Sequence, residues 1–335
     1  MLAIDRETPH TAPLLPALPL LSRLAEALLE HWPGHRGPLL RSFASHDAHG
    51  LTILERVAAR VLRLAEDDDE GLPRLCADYR YLCEELILPE EIYFRSHHRY
   101  RLSSSAVAQA EVQRRPGLRA RYLNGLLLSS LFSANHAGAF GVYLRDFLPK
   151  NRPGYRHLEV GCGHGLLLSL TAEDPRGGAL TAWEGSPASL AMSRRCLSVL
   201  AAGTGDDLPI RFELRALLAE PEDPAETRDA PERYDSVVIS EGLERLEDPA
   251  AALAGLRRVL APGGQVFINL PVNSPAPDHI YLLRTPEEAL ALVQKAGLRV
   301  LDHRCLPATG ATEERARRHG LTINTIIIAD RVDRA

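Results

Sequence analysis

The chain has 335 residues, more than the usual single-domain size of roughly 100–200 residues, so two domains are expected. Its 45% hydrophobic and 25% charged content is that of a folded globular protein and excludes a globally disordered one. A formal net charge of −5 leaves no general cationic field for nucleic-acid phosphates, so no nucleic-acid partner is expected.

Residues 1–16 are proline-rich and irregular and predict an arm without regular structure. Leucines at 20, 24 and 28, then Ile53, Val57 and Val61 with Leu54, Ala58 and Leu62 beside them, predict two amphipathic helices. The acidic run Glu66–Glu70 reads as a solvated junction. Gly71-Leu72-Pro73 then opens a third helix with Leu75, Tyr79, Leu82, Cys83 and Leu86 on its apolar face. Residues 105–148 supply two further helical stretches separated near Ser133, and Asn151-Arg152-Pro153-Gly154 breaks the pattern. That breaker divides a helical N-terminal domain, 1–150, from a second domain, 151–335.

Beyond it the period changes. Short β-rich runs at 157–160, 179–183, 210–213, 236–240 and 265–270 alternate with helical segments, the βαβ rhythm of a parallel sheet. Residues 298–302 and 322–329 lack a convincing crossover helix between them, which predicts an antiparallel closing strand. No segment has the run of about 18 apolar residues needed to cross a bilayer, so no membrane association is expected. Five scattered cysteines show neither zinc nor disulfide spacing and suit a reducing, cytoplasmic setting.

The most informative run is His157-Leu158-Glu159-Val160-Gly161-Cys162-Gly163-His164-Gly165, an apolar strand entering a three-glycine loop and then a helix. Glycine admits positive φ and lets a ligand approach the backbone, while the helix start offers unpaired N–H groups. Dinucleotide sites use similar turns, but the third glycine of their fingerprint would fall at Leu166. A second strand ends in Trp183-Glu184-Gly185, where a carboxylate can accept both hydroxyls of a ribose. A third run, Ser240-Glu241-Gly242-Leu243-Glu244-Arg245, follows a buried strand and precedes a helix and Pro262-Gly263-Gly264.

Together these residues resemble the class I S-adenosylmethionine-dependent methyltransferases, in particular the branch of ubiquinone and menaquinone biosynthesis, over about residues 150–330. The resemblance implies a Rossmann-like α/β domain with a seven-stranded, mostly parallel sheet. It implies S-adenosylmethionine as cofactor, held by Glu159, Gly161, Cys162, Gly163 and Gly165 at its amino-acid end and by Glu184 and Gly185 at its ribose. Ser240 and Glu241 join that set, with Ala216 and Leu217 at the adenine. Quinol methyltransferases of this type commonly carry Glu-x-x-Glu-His after the fourth strand. Arg245 stands at the histidine position here and can neither ligate a metal nor act as a base. No acid follows the third strand to receive the adenine amino group, and the N-terminal 150 residues match no recognised family.

Methyl transfer from a sulfonium requires chiefly alignment and exclusion of water. A base is needed only for a hydroxyl or an acidic carbon. His279, in the loop after the fifth strand, is the expected base, with Tyr281 and Asn273 as lesser acceptor-orienting candidates and His136 as a pocket-lining one. The acceptor expected is a small secondary-metabolite or quinone-like molecule taking the methyl on O, N or activated C. The alternative is a cofactor-binding pseudoenzyme or partner-binding subunit. A homodimer through the helical domain is compatible with either.

Overall fold

The computed structural model describes residues 14–113, 115–201, 210–215 and 232–332; Ala216 and Leu217 lie outside the described residues. Seven strands form one sheet: β1 Tyr155–Val160, β2 Gly177–Glu184, β3 Ile210–Leu214, β4 Tyr234–Ser240, β5 Leu260–Val272, β6 Leu298–Pro307 and β7 Ile323–Arg331. Their order is β3-β2-β1-β4-β5-β7-β6. The first five pair in parallel, and β7 runs antiparallel between β5 and β6. Helices connect β1 to β2, β2 to β3 and β4 to β5, as parallel pairing requires, whereas the segment between β6 and β7 returns the chain antiparallel. The strand order reverses direction between β1 and β4, so their C-terminal ends open the crevice where ligands of such sheets bind.

The helical region begins with α1 Pro19–His31, α2 Arg36–Ala44, α3 Ala48–Glu66 and α4 Gly71–Tyr81, which continues through a wider π-type turn, Leu82–Ile87, into α5 Leu88–His97. The leucine spacing makes α1 and α3 as expected, and Asp47 caps α3 by accepting the Gly50 N–H at 2.6 Å. The acidic run falls at the junction of α3 and α4. Helices α2 and α5 were not legible, because both are short and largely exposed and carry little apolar periodicity. A short α6, Ser105–Ala108, precedes α7 Pro116–Phe132 and α8 Ala134–Val142, with Ser133 in extended conformation as the joint.

In the second half, α9 Leu166–Ala172 and α10 Pro187–Ala201 lie on one face of the sheet, and α11 Pro249–Val259, α12 Pro286–Lys295 and α13 Glu313–His319 pack with its other face. The N-terminal helices do not keep a core to themselves. Leu24, Val57, Leu128 and Phe140 belong to one continuous buried cluster with Val238, Phe267, Ile326 and Ile328 of the sheet. The alternate side chains Val237, Val266, Ile268 and Ile327 face the second layer. Helices α7 and α8 thereby cross the open crevice at the strand ends. Among the described residues no helix is long and apolar enough to cross a membrane.

Candidate active site

The loop after β1 takes its shape from three glycines, all at positive φ: Gly161 at 72°, Gly163 at 54° and Gly165 at 82°. A side chain at Gly161 would meet nothing within 4 Å, and one at Gly163 only a carbonyl at 3.9 Å, so both face open space. Gly165 differs: a Cβ there would come within 3.0 Å of the Ser193 Cα. It serves the close packing of α9 on α10 and is not among the residues lining the cleft.

The cleft has two halves. One is bounded by Trp183, Glu184, Gly185, Arg215 and Ile239, and the other by Glu159, Cys162, His164, Ser240 and the α7–α8 side chains Leu126 and His136. Gly161, Gly163, Glu241, Arg119 and Arg245 border both halves. Glu184 accepts the Gly163 N–H at 3.1 Å and the Ser186 N–H at 2.9 Å. Those two bonds fix its carboxylate at the rim and leave lone pairs for further donors. The Arg215 guanidinium lies 4.2 Å from the Trp183 ring centre, a cation–π contact that walls this half.

Glu159 is buried, and its Oε2 has no hydrogen-bond partner. Burial and then the charge of Glu184 push its carboxyl up to about 8. A buried carboxyl with an unspent oxygen at the cleft floor is a receptor for a cation.

The opposite wall carries two histidines in contrasting states. His136 Nε2 lies 3.0 Å from Glu241 Oε1, and Nδ1 lies 2.9 Å from the Ser129 hydroxyl. Burial opposes charge on this imidazole, but the charge and hydrogen bond of Glu241 outweigh it and raise it above 6.5. His164 Nδ1 accepts the Leu166 N–H at 3.3 Å. Burial and then the neighbouring His136 push His164 down to about 4, so it is neutral with its proton on Nε2, facing the Ser130 hydroxyl.

Glu241 has φ 52°, a left-handed conformation that costs a glutamate about 1–3 kcal/mol. Its N–H donates to the Asn269 carbonyl at 2.9 Å, and its Oε1 accepts from Asn324 Nδ2 at 2.6 Å. Asn324 also donates to Asn269 Oδ1 and accepts from Asn135 Nδ2, so this fully buried amide ties β5, β7 and α8 together. Burial opposes ionisation of Glu241, yet His136 and Asn324 hold its carboxyl well below the usual range.

Beneath the junction of the two halves lies a second polar cluster. Arg245 Nη1 is 3.2 Å and Arg119 Nη1 3.8 Å from Asp278 Oδ2, and Tyr122 donates to Asp278 Oδ1 at 3.2 Å. Glu244 is wholly buried and neither oxygen has a hydrogen bond; burial, outweighing the attraction of Arg245, pushes it up to about 8.

His279 belongs to this cluster and not to the cleft wall, which corrects the expectation that it faces the acceptor. The Pro275–Pro277 turn folds the loop back, His279 Nδ1 donates to the Ser274 carbonyl at 2.7 Å, and Nε2 points at Glu244, 3.6 Å away. Tyr281 packs on the second core face, while its N–H and that of Ile280 both donate to the Glu244 carbonyl at 2.9 Å. Asn273 donates to the Arg284 carbonyl at 2.8 Å and lies outside the cleft. Glu159, Gly161, Cys162, Gly163, Glu184, Gly185, Ser240, Glu241 and His136 all line it.

Sequence reasoning passed over Arg119 and Asn324. A signal existed for each: Asn324 is a polar residue just ahead of the apolar run Ile326–Ile328, and Arg119 shares the stripe of Leu123, Leu126 and Ser130 at helical spacing.

A doubly wound sheet with a glycine loop after β1 and an acid ending β2 defines a Rossmann-like methyltransferase domain. The methyltransferase domain family matches residues 137–326, more than half of the sequence, and the chain belongs to that family. The ubiquinone biosynthesis O-methyltransferase of Pseudomonas fluorescens (strain Pf0-1) is 34% identical over 119 residues, 36% of this chain and 45% of the relative. Its counterpart in Stutzerimonas stutzeri is 32% identical over 116 residues, 35% and 44% of the two chains. The chain thus spans less than half the length of these relatives. The magnesium protoporphyrin IX methyltransferase of Synechocystis PCC 6803, solved with bound S-adenosylhomocysteine, superposes with a TM-score of 0.50 at 12% identity, covering 68% of this chain and 100% of that one. At that identity the likeness is one of fold. The family match begins on α8 one residue after His136, so Arg119, Ser130 and His136 come from outside it.

The cofactor of this family, S-adenosylmethionine, suits the residues present. Gly161 and Gly163 leave the space it needs against the backbone, Glu184 at the rim has lone pairs that suit a diol, and the unspent oxygen of Glu159 suits an ammonium.

Proposed function

We propose that the protein is an S-adenosylmethionine-dependent methyltransferase acting on a small acceptor molecule, with α7 and α8 covering the cleft and selecting the acceptor. The observation that carries this reading is the cleft with a carboxyl at either end, Glu184 at the rim and the unspent Glu159 on the floor, joined by a glycine loop that leaves the space between them open. When bound, the cofactor supplies an activated methyl group on a sulfonium.

The chain's own residues align, exclude water and hold protons. Leu123, Leu126, Ala139, Phe140 and Leu167 give the acceptor side apolar walls, which favour a compact, partly apolar molecule and keep bulk water from the transfer. No described hydrogen bond uses Glu241 Oε2, so that oxygen is the site's proton acceptor for an acceptor hydroxyl, with the proton shared along the 3.0 Å contact to His136. His164 and Ser130 orient the acceptor beside it. Oxygen is therefore the favoured methylated atom.

The test is calorimetric titration with S-adenosylhomocysteine, with NAD as control, followed by a mass-shift screen of phenolic and carboxylic acceptors. Micromolar binding of S-adenosylhomocysteine alone and a gain of one methyl in an acceptor are expected. Binding without any transfer would favour the pseudoenzyme reading, and absence of binding would refute the site.

A further inference from the structure

Two arginines border both halves of the cleft, and the hydrogen-bonding capacity of both is unfinished. Arg119 is buried; its Nε and Nη2 donate to the Ser189 hydroxyl at 3.2 and 2.7 Å, and its Nη1 has no hydrogen bond, being 3.8 Å from Asp278. Arg245 contacts the same Asp278 oxygen at 3.2 Å, and its Nε is likewise unpartnered. Both guanidinium groups flank the Tyr122 ring, 5.4 and 6.0 Å from its centre. One aspartate thus serves two guanidinium ions.

The neighbouring carboxyls leave these N–H groups unbonded. Glu241 is paired with His136, Glu184 is bonded to the Gly163 and Ser186 amides, and Glu244 makes no hydrogen bond to either arginine. Two guanidinium groups, each with a buried and unspent N–H at the meeting of the two halves, fit an anion.

The geometry points to Arg119 and Arg245 as an oxyanion clamp for the methyl acceptor, whose ionised oxygen, of a carboxylate or an acidic phenol, docks where the two halves of the cleft meet. This rests on the methyltransferase reading above. It assigns the anion to the acceptor because the clamp borders the middle of the cleft, where the cofactor brings a positive sulfonium of its own, and an anionic nucleophile is attracted by both. In the transfer the acceptor oxygen forms its bond to the methyl carbon, the carbon–sulfur bond breaks with its electron pair returning to sulfur, and the acceptor's negative charge is consumed. A carboxylate needs no base, and a phenol passes its proton through the Glu241 carboxylate to the neutral imidazole of His136. Arg245 stands where a metal-binding histidine occurs in the resembling quinol enzymes, so the clamp supplies the cationic charge from the chain itself.

The experiment is titration of the protein saturated with S-adenosylhomocysteine with benzoate, with 4-nitrophenolate and with neutral benzamide. At least tenfold tighter binding of one of the anions than of benzamide is expected, and which anion wins distinguishes a carboxylate from a phenolate site. Arg119→Gln should remove that preference while changing the affinity for S-adenosylhomocysteine less than twofold. Arg245→Lys, which keeps the charge, gives a second reading if the first variant does not fold. Equal binding of benzamide and the anions by the native protein overturns the proposal. So does a tenfold loss of S-adenosylhomocysteine affinity in Arg119→Gln with the anion preference intact, since the arginine would then serve the cofactor's carboxylate. If the native protein binds no S-adenosylhomocysteine, the methyltransferase reading fails by itself, and the same anion titration of the free protein still reports on the clamp.

Discussion

Binding of an amino-acid-bearing nucleoside should expel a proton from Glu159. With its carboxyl pushed up to about 8 by burial and by Glu184, roughly 90% of Glu159 is protonated at pH 7 in the free protein. An ammonium docking on it selects the carboxylate, so about 0.9 proton leaves per ligand bound, and the ionisation subtracts about 1.4 kcal/mol from the affinity at that pH. Calorimetric titration with S-adenosylhomocysteine at pH 7, repeated in buffers of different ionisation enthalpy, reads the proton count from the slope of the apparent enthalpy. 5′-Methylthioadenosine, which has the nucleoside but no ammonium, should release none, and Glu159→Gln should abolish the release for the full ligand. A zero slope for the native protein with S-adenosylhomocysteine would refute both the protonation state and the placement of the ammonium.

Glu159 and a second buried acid, Glu244, also make stability depend on pH. Glu159 and Glu244 both have raised folded-state values, so their contribution is complete below the ordinary carboxyl range and is lost as the pH rises through about 8; the melting temperature of the free protein should fall between pH 5 and 8, measured by calorimetry. His136 is raised above 6.5 by Glu241, so the pair takes up a proton only above that value, and the pH–rate profile should show a rising limb displaced upward, flattened in His136→Gln. Gly165→Ala should lower stability by about 1–3 kcal/mol, because φ is 82° and the new Cβ meets the Ser193 backbone at 3.0 Å. Gly163→Val, whose side chain would enter the open cleft, should abolish S-adenosylhomocysteine binding, and at φ 54° it also strains the backbone, so the melting temperature should fall as well. Asn324→Leu removes three buried hydrogen bonds and should destabilise by about 2–5 kcal/mol in denaturant titration.

The sheet and its loop were legible because they are written locally. A strand, a turn needing positive φ at 161, 163 and 165, and an acid ending the next strand occupy fixed places in the sequence, and the structure brings them to one cleft. Long amphipathic helices such as α3 were equally plain, whereas α2 and α5 bury too little to leave a pattern. The acceptor side was less legible because it is assembled across the chain. His136 meets Glu241 only through the packing of α8 on the sheet, and Asn324 reaches Glu241 from β7. His279 misled for the complementary reason. Its place after β5 predicts an outward loop, and only the fold-back at Pro275–Pro277, sealed by the Ser274 carbonyl, turns the ring inward. Arg245 was noted as what it cannot do; its partnership with Arg119 becomes visible only when α7 is laid across the strand ends.

The shared apolar core has a consequence for how the protein is made. The helices from α1 to α8 leave the ribosome before any strand, and the sheet face they need, Val238, Phe267, Ile326 and Ile328, arrives late. The final strand in chain order, β7, is also the one inserted between β5 and β6. The sheet is therefore incomplete until β7 has been synthesised, and until then the helical half has its oily side uncovered. The shared core thus couples the folding of the helices to that of the sheet, and apolar surface exposed before the two meet is where aggregation would begin.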